Sequence, residues 1–119
     1  MAFIQKVIVD VTTDGAGAAT AYSEYIQQGI ILDIDYIKTD FSDGVDFDIT
    51  IEGRGVELVD ADNVNASQTF TPRQIAHLNT SSATVTGAQE PIPVFNDRVK
   101  IVVASGGATK TGQFVIYVG

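Results

Sequence analysis

The residues best equipped for chemistry in this chain are carboxylates. Asp33, Asp35, Asp40, Asp43, Asp46 and Asp48 fall within one stretch, and Asp60-Ala61-Asp62-Asn63 follows a little later. Hard cations bind several carboxylate and carbonyl oxygens around a flexible loop, which makes Asp40, Asp43 and Asp46 a candidate Ca²⁺ set. The spacing departs from the helical calcium loop, because Gly44 stands fifth from Asp40 where that loop wants glycine sixth. In an extended chain Asp33 and Asp35 share one outward face, as do Asp46 and Asp48, and such faces are ordinarily just solvated. The second acidic run reads first as a polar turn. We therefore expect no metal and no cofactor.

Other reaction chemistries find less. A carboxylate pair can hydrolyse glycosides, but nothing in the spacing selects two that face one another, and 8% aromatic residues with no Trp imply no aromatic-lined cleft. His77, the single histidine, has Ser67, Ser81 and Ser82 near it in sequence; a nucleophilic triad is a matter of geometry, and a lone histidine in a loop is usually a surface residue. The run Gly106-Gly107-Ala108-Thr109-Lys110-Thr111 has the look of a phosphate loop. It lacks the glycine before the lysine and joins two extended segments, so no helix N-terminus receives the phosphate. A non-enzymatic protein is expected.

The elements that carry these residues are strands. From Ile30 to Tyr36, and again from Val45 to Glu52, apolar residues alternate with carboxylates and hydroxyls, the mark of strands with one buried and one wet face. This stretch predicts two strands joined by an acidic turn, the central pair of an antiparallel sheet. Residues 3–12 predict a further strand, with a hairpin through Thr13–Gly17 to a return strand over 18–25. Gly53-Arg54-Gly55 predicts a hairpin to a strand over 56–60, and Ser105–Gly112 a hairpin between strands over 99–103 and 114–118. Between them, 61–95 is rich in Asn, Ser and Thr and reads as a long loop-rich insertion, with one helical turn over Thr71–Leu78 capped by Thr71. Pro91 and Pro93 extend the next segment and exclude it from the middle of a sheet. The expectation is all-β: one domain, 1–119, a two-sheet antiparallel β-sandwich, Ig-like or jelly-roll-like, of about seven to eight strands with little helix. An N-terminal arm over 1–6 is also expected.

Composition narrows the partners. The chain has 119 residues, 15 acidic against 7 basic, and a formal net charge of -8. No Lys/Arg cluster can neutralise successive phosphates, so neither nucleic acid nor an anionic membrane surface is an expected partner. There is no cysteine to build a disulfide or a thiolate metal site. No segment approaches a membrane span and no leader precedes the first strand, so synthesis as a soluble cytoplasmic protein is expected. A domain of this size buries roughly two-thirds of its unfolded surface, which makes oligomerisation a reasonable expectation. Phe3, Ile4, Phe70, Ile92, Val94 and Phe95 lie in arms or loops outside the strand pattern. Each either caps the ends of the sandwich or packs on a partner surface, and together they form the candidate partner or oligomer interface.

Taken together, the turns carry a resemblance. Asp10-Val11-Thr12-Thr13-Asp14-Gly15, Tyr36-Ile37-Lys38-Thr39-Asp40-Phe41, Asp43-Gly44-Val45-Asp46-Phe47, Asn63-Val64-Asn65-Ala66-Ser67, Asn96-Asp97-Arg98-Val99-Lys100-Ile101 and Lys110-Thr111-Gly112-Gln113-Phe114 resemble a family of small head proteins of tailed bacteriophages. The resemblance covers nearly the whole chain and implies a virion structural protein, a head decoration or cement protein that binds the major capsid protein and stabilises the assembled shell. That role places it on the outer surface of the head after synthesis in the bacterial host cytoplasm, and the oligomer expected from its size, a dimer or trimer, would hold it there by avidity. It brings no site residues with it. The alternatives are a neck or tail component, or a β-sandwich module that binds carbohydrate or a host surface.

Overall fold

The computed structural model describes residues 4–81 and 83–119. Among them are eleven strands: β1 (Gln5–Thr12), β2 (Ala19–Tyr22), β3 (Ile26–Lys38), β4 (Val45–Ile51), β5 (Val56–Val64), β6 (Gln68–Phe70), β7 (Gln74–His77), β8 (Thr84–Glu90), β9 (Ile92–Asp97), β10 (Val99–Ala104) and β11 (Thr111–Val118). They form the expected antiparallel sandwich. One sheet runs β1-β11-β3-β6 with β9 also on β3, the other runs β2-β10-β4-β5, and β7 pairs with β8 alone. Ile31 pairs with Val118 of β11 and with Ile92 of β9, so β6 and β9 lie end to end on the edge of β3 opposite β11. The β7–β8 hairpin leaves the sandwich between them.

Three expected hairpins are not hairpins. β1 pairs with β11 and β2 with β10, β3 and β4 lie in opposite sheets, and β10 and β11 likewise. The acidic stretch is therefore not a central pair of one sheet but a crossing between two. Alternation shows that a strand has one buried face and says nothing about which strand lies beside it, while the connections over 13–18, 39–44 and 105–110 have enough chain to cross the ~10 Å between packed sheets. The β4–β5 hairpin forms as expected.

The core lies between the sheets. Val7, Val9 and Val11, Phe114, Ile116 and Val118, and Ile31, Ile34 and Tyr36 face Val99, Ile101 and Val103 and Val45, Phe47, Ile49 and Ile51, all buried. Within β3 Ile34 and Tyr36 face inward as the alternation predicts, but Ile30 and Leu32, which share their parity, do not. The pairing with β11 slips between Tyr117 and Val118, so β3 carries an extra residue there, and Ile31 turns inward while Ile30 is 41% exposed. A bulge swaps faces upstream of itself, and regular alternation cannot reveal it. Aromatic rings fill the centre: Tyr36 and Phe114 lie 5.0 Å from Phe47, and Phe70 meets Phe47 edge-on at 5.7 Å. Phe41, from the 39–44 crossing, stacks on Tyr36 and covers Gly112, where any Cβ would fall 2.3 Å from the Phe41 ring.

The expected loop-rich insertion is largely strand. Gln74–His77 pairs with Thr84–Glu90 instead of forming a helical turn, and the Thr71 hydroxyl donates to Asp33 Oδ1 at 2.8 Å rather than capping a helix. Gln5 and Lys6 of the expected arm belong to β1. β9 takes the edge position its prolines require. Pro93 faces Ile30, whose N–H donates on the opposite side, to the Gly119 carbonyl, so no ladder bond is lost at the proline.

Candidate functional site

The hairpin of β7 and β8 gives the molecule its most distinctive surface. Its tip closes with the Leu78 N–H donating to the Ala83 carbonyl at 2.8 Å. At its root Gln74 Nε2 donates to Glu90 Oε1 at 3.0 Å. Ile75 and Leu78 are 51% and 49% exposed on it. An open cleft of about 250 Å³ at the root is lined by Ile30, Gln74, Glu90, Pro91 and Pro93. Beyond it Phe95 is 62% exposed, with the Arg54 guanidinium 5.7 Å from its ring. Apolar side chains thus run from the sandwich edge along a projecting ribbon.

The expected interface residues divide on this frame. Ile4 and Phe95 are exposed, and Phe70 is half-buried against the core. Ile92 and Val94 are corrected: both are wholly buried, because β9 alternates with these two inward and Phe95 outward. Phe3 lies outside the described residues. Ile75 and Leu78, read from sequence as part of a helical turn, prove to be the exposed apolar residues of the arm.

The acidic residues serve the fold. The N–H and hydroxyl of Thr111 both donate to Asp40, holding its carboxyl below the usual carboxylate range. Asp43 pairs with the Lys38 ammonium, and Asp46 accepts the Asn63 N–H at 2.9 Å. Asp33 and Asp35 accept the hydroxyls of Thr71 and Thr69, tying β6 and its continuation to β3. The structure does not gather Asp40, Asp43 and Asp46 around one point. It brings together Asp48, Glu57 and Asp60 across the β4–β5 pair, with one oxygen of each within 4.8 Å of the others. These exposed carboxylates are the described residues that can offer a hard cation three ligands. Partial desolvation, a hydrogen bond to Asp48 and the charges of Asp48 and Asp60 push the Glu57 carboxyl up to about 7.

Other candidate machinery is dispersed. His77 is exposed on the hairpin, whereas Ser67 accepts the Lys38 N–H at the start of β6. Ser82 lies outside the described residues. In the 105–110 crossing the Gly106 N–H donates to the Gly17 carbonyl, and the Gly106 and Gly107 carbonyls accept from Ser42 N–H and the Thr13 hydroxyl. Its backbone groups bind neighbouring loops, which is how three crossings are fastened at one end of the sandwich.

At the other end Asp97 and Arg98 turn the chain from one sheet to the next. Buried Asp97 accepts the N–H groups of Gly53 and Arg98, and Arg98 forms a two-pronged pair with Glu52 while covering Tyr22, whose ring centroid is 4.0 Å away. No known family model matches the chain, and no curated protein is significantly similar to it.

Proposed function

We propose that this chain is a non-enzymatic structural protein of a phage head, a decoration or cement protein held in many copies on the assembled shell by its major capsid protein. The observation that carries the reading is the β7–β8 hairpin, which pairs with neither main sheet and presents Ile75 and Leu78 to solvent, continuous at its root with exposed Ile30 and Phe95 of the sandwich edge. Exposed apolar residues on an extended ribbon suit a groove between neighbouring subunits, where strand edges and side-chain pockets act together. The resemblance in the turns supports the same role. So does the net charge of -8, which suits an outer surface better than contact with packaged DNA. A dimer or trimer would multiply a modest interface by avidity.

The test is stoichiometry in purified particles, with this chain quantified against the major capsid protein. A copy number on the scale of the shell subunits supports the reading, a few copies per particle moves the protein to the neck or tail, and absence from particles overturns it. Ile75→Asp with Leu78→Asp should strip the protein from particles while its melting temperature holds.

A further inference from the structure

Tyr25 ends the connection between β2 and β3, and its ring is 59% exposed. The guanidinium of Arg98 lies 5.3 Å from its centroid and is itself fixed by two hydrogen bonds to Glu52 of 3.0 and 3.1 Å. A clamped cation over an aromatic ring restrains the ring, so Tyr25 is presented in a set orientation despite its exposure. Beside it is a notch of about 360 Å³ lined by Gln5, Glu24, Tyr25, Ile26, Gln27 and Gln28, within the ~300–1,000 Å³ range of small-ligand sites. Gln74 and Gln113 bond to Glu90 and Asp10, but the side chains of Gln5, Gln27 and Gln28 make no hydrogen bond among the described residues. Three glutamines with no side-chain hydrogen bond among the described residues, and one glutamate, therefore line a single notch beside the Tyr25 ring.

The chemistry of that lining selects its ligand. A primary amide offers donors and an acceptor together, and a carboxylate only accepts, so the notch matches a molecule rich in hydroxyl groups, each of which both donates and accepts. Glu24 and the net charge of -8 disfavour anions. The single carboxylate is too few for a cation, and the one aliphatic lining residue, Ile26, is buried in the core. An exposed aromatic face suits the C–H face of a sugar ring. We propose that this notch binds a neutral saccharide, with Tyr25 as the stacking platform and Gln5, Glu24, Gln27 and Gln28 reading the hydroxyls. This site is separate from the hairpin and does not depend on the role assigned to it.

The test is an NMR titration of the isotope-labelled full chain with maltose, lactose and N-acetylglucosamine in turn, with a glycan array of neutral and acidic sugars alongside. Saturable shifts in the amides of residues 24–28 and in the side-chain amides of Gln5, Gln27 and Gln28 are expected with at least one sugar. Tyr25→Ala should weaken that binding about tenfold, the scale of one lost stacking contact. Gln27→Ala with Gln28→Ala should weaken it too, while Ile75→Ser on the hairpin leaves it unchanged. The proposal is overturned by no saturable shift together with an array free of neutral-sugar hits, by binding confined to acidic glycans, or by shifts that persist undiminished in a folded Tyr25→Ala variant.

Discussion

Tyr36 shows how tightly a single residue can be placed without being satisfied. Its ring packs among Phe41, Phe47 and Phe114, but its buried hydroxyl has no hydrogen-bond partner among the described residues, and burial followed by the charge of Asp43 pushes its ionisation up. An unpaired buried hydroxyl costs on the order of 1–3 kcal/mol, so Tyr36→Phe keeps the packing and removes the cost. Thermal denaturation should show a melting temperature at or above that of the parent, and a clear fall would mean that the hydroxyl is bonded. Glu57 makes a prediction about pH. Its folded value of about 7 stands above the ordinary glutamate value of 4.5, so the folded state holds the proton more tightly. The stabilisation is complete below about 4.5 and is lost as pH rises through about 7. Glu57→Gln should flatten the decline in melting temperature between those values, and an unchanged profile would assign the decline to another group.

Whole elements carry the division between scaffold and arm. The three crossings at one end are bonded to each other, with Thr13 Oγ1 donating to the Gly107 carbonyl at 2.6 Å and accepting the Lys110 N–H at 2.8 Å. The β7–β8 hairpin is bonded chiefly within itself and adds no side chain to the buried core. Replacing residues 74–90 with a short Gly/Ser turn should therefore shift stability by no more than about 1 kcal/mol in urea unfolding, because loop-closure entropy changes slowly with length. A much larger loss would show that the hairpin braces the β3 edge. The variant should nevertheless lose its place on particles, which separates an arm used for binding from one used for folding.

The whole molecule is longer than its chain length requires. Its Cα radius of gyration is 15.1 Å and its extents are 49 × 32 × 23 Å, against about 13.5 Å expected for a compact chain of this size. The β7–β8 hairpin, which pairs with neither main sheet and adds nothing to the core, is the element expected to supply the excess. Small-angle scattering of the monomer should show this elongation, and the shortened variant should fall toward the compact value; equal radii for the two would mean that the hairpin folds back on the sandwich.

The sequence by itself determined that this is an all-β chain, because period-two alternation in β1, β4, β10 and β11 states locally which residues turn inward. It also excluded the segment around Pro91 and Pro93 from the middle of a sheet, since a proline has no N–H to give, though not that this segment is the edge strand β9. Partner choice was decided only by the tertiary structure: an alternating strand is complete in its own pattern whether its neighbour follows it in the chain or crosses from another sheet. The β3 bulge was equally hidden, being one extra residue that matters only against the register of β11. So was the notch at Tyr25, where Gln5 from β1 and Gln27 and Gln28 from β3 are separate in sequence and meet only through the sheet that joins them. Spacing along the chain reports which face a residue occupies. Which distant residues share that face is set by strand order, and strand order is fixed by how two sheets bury each other.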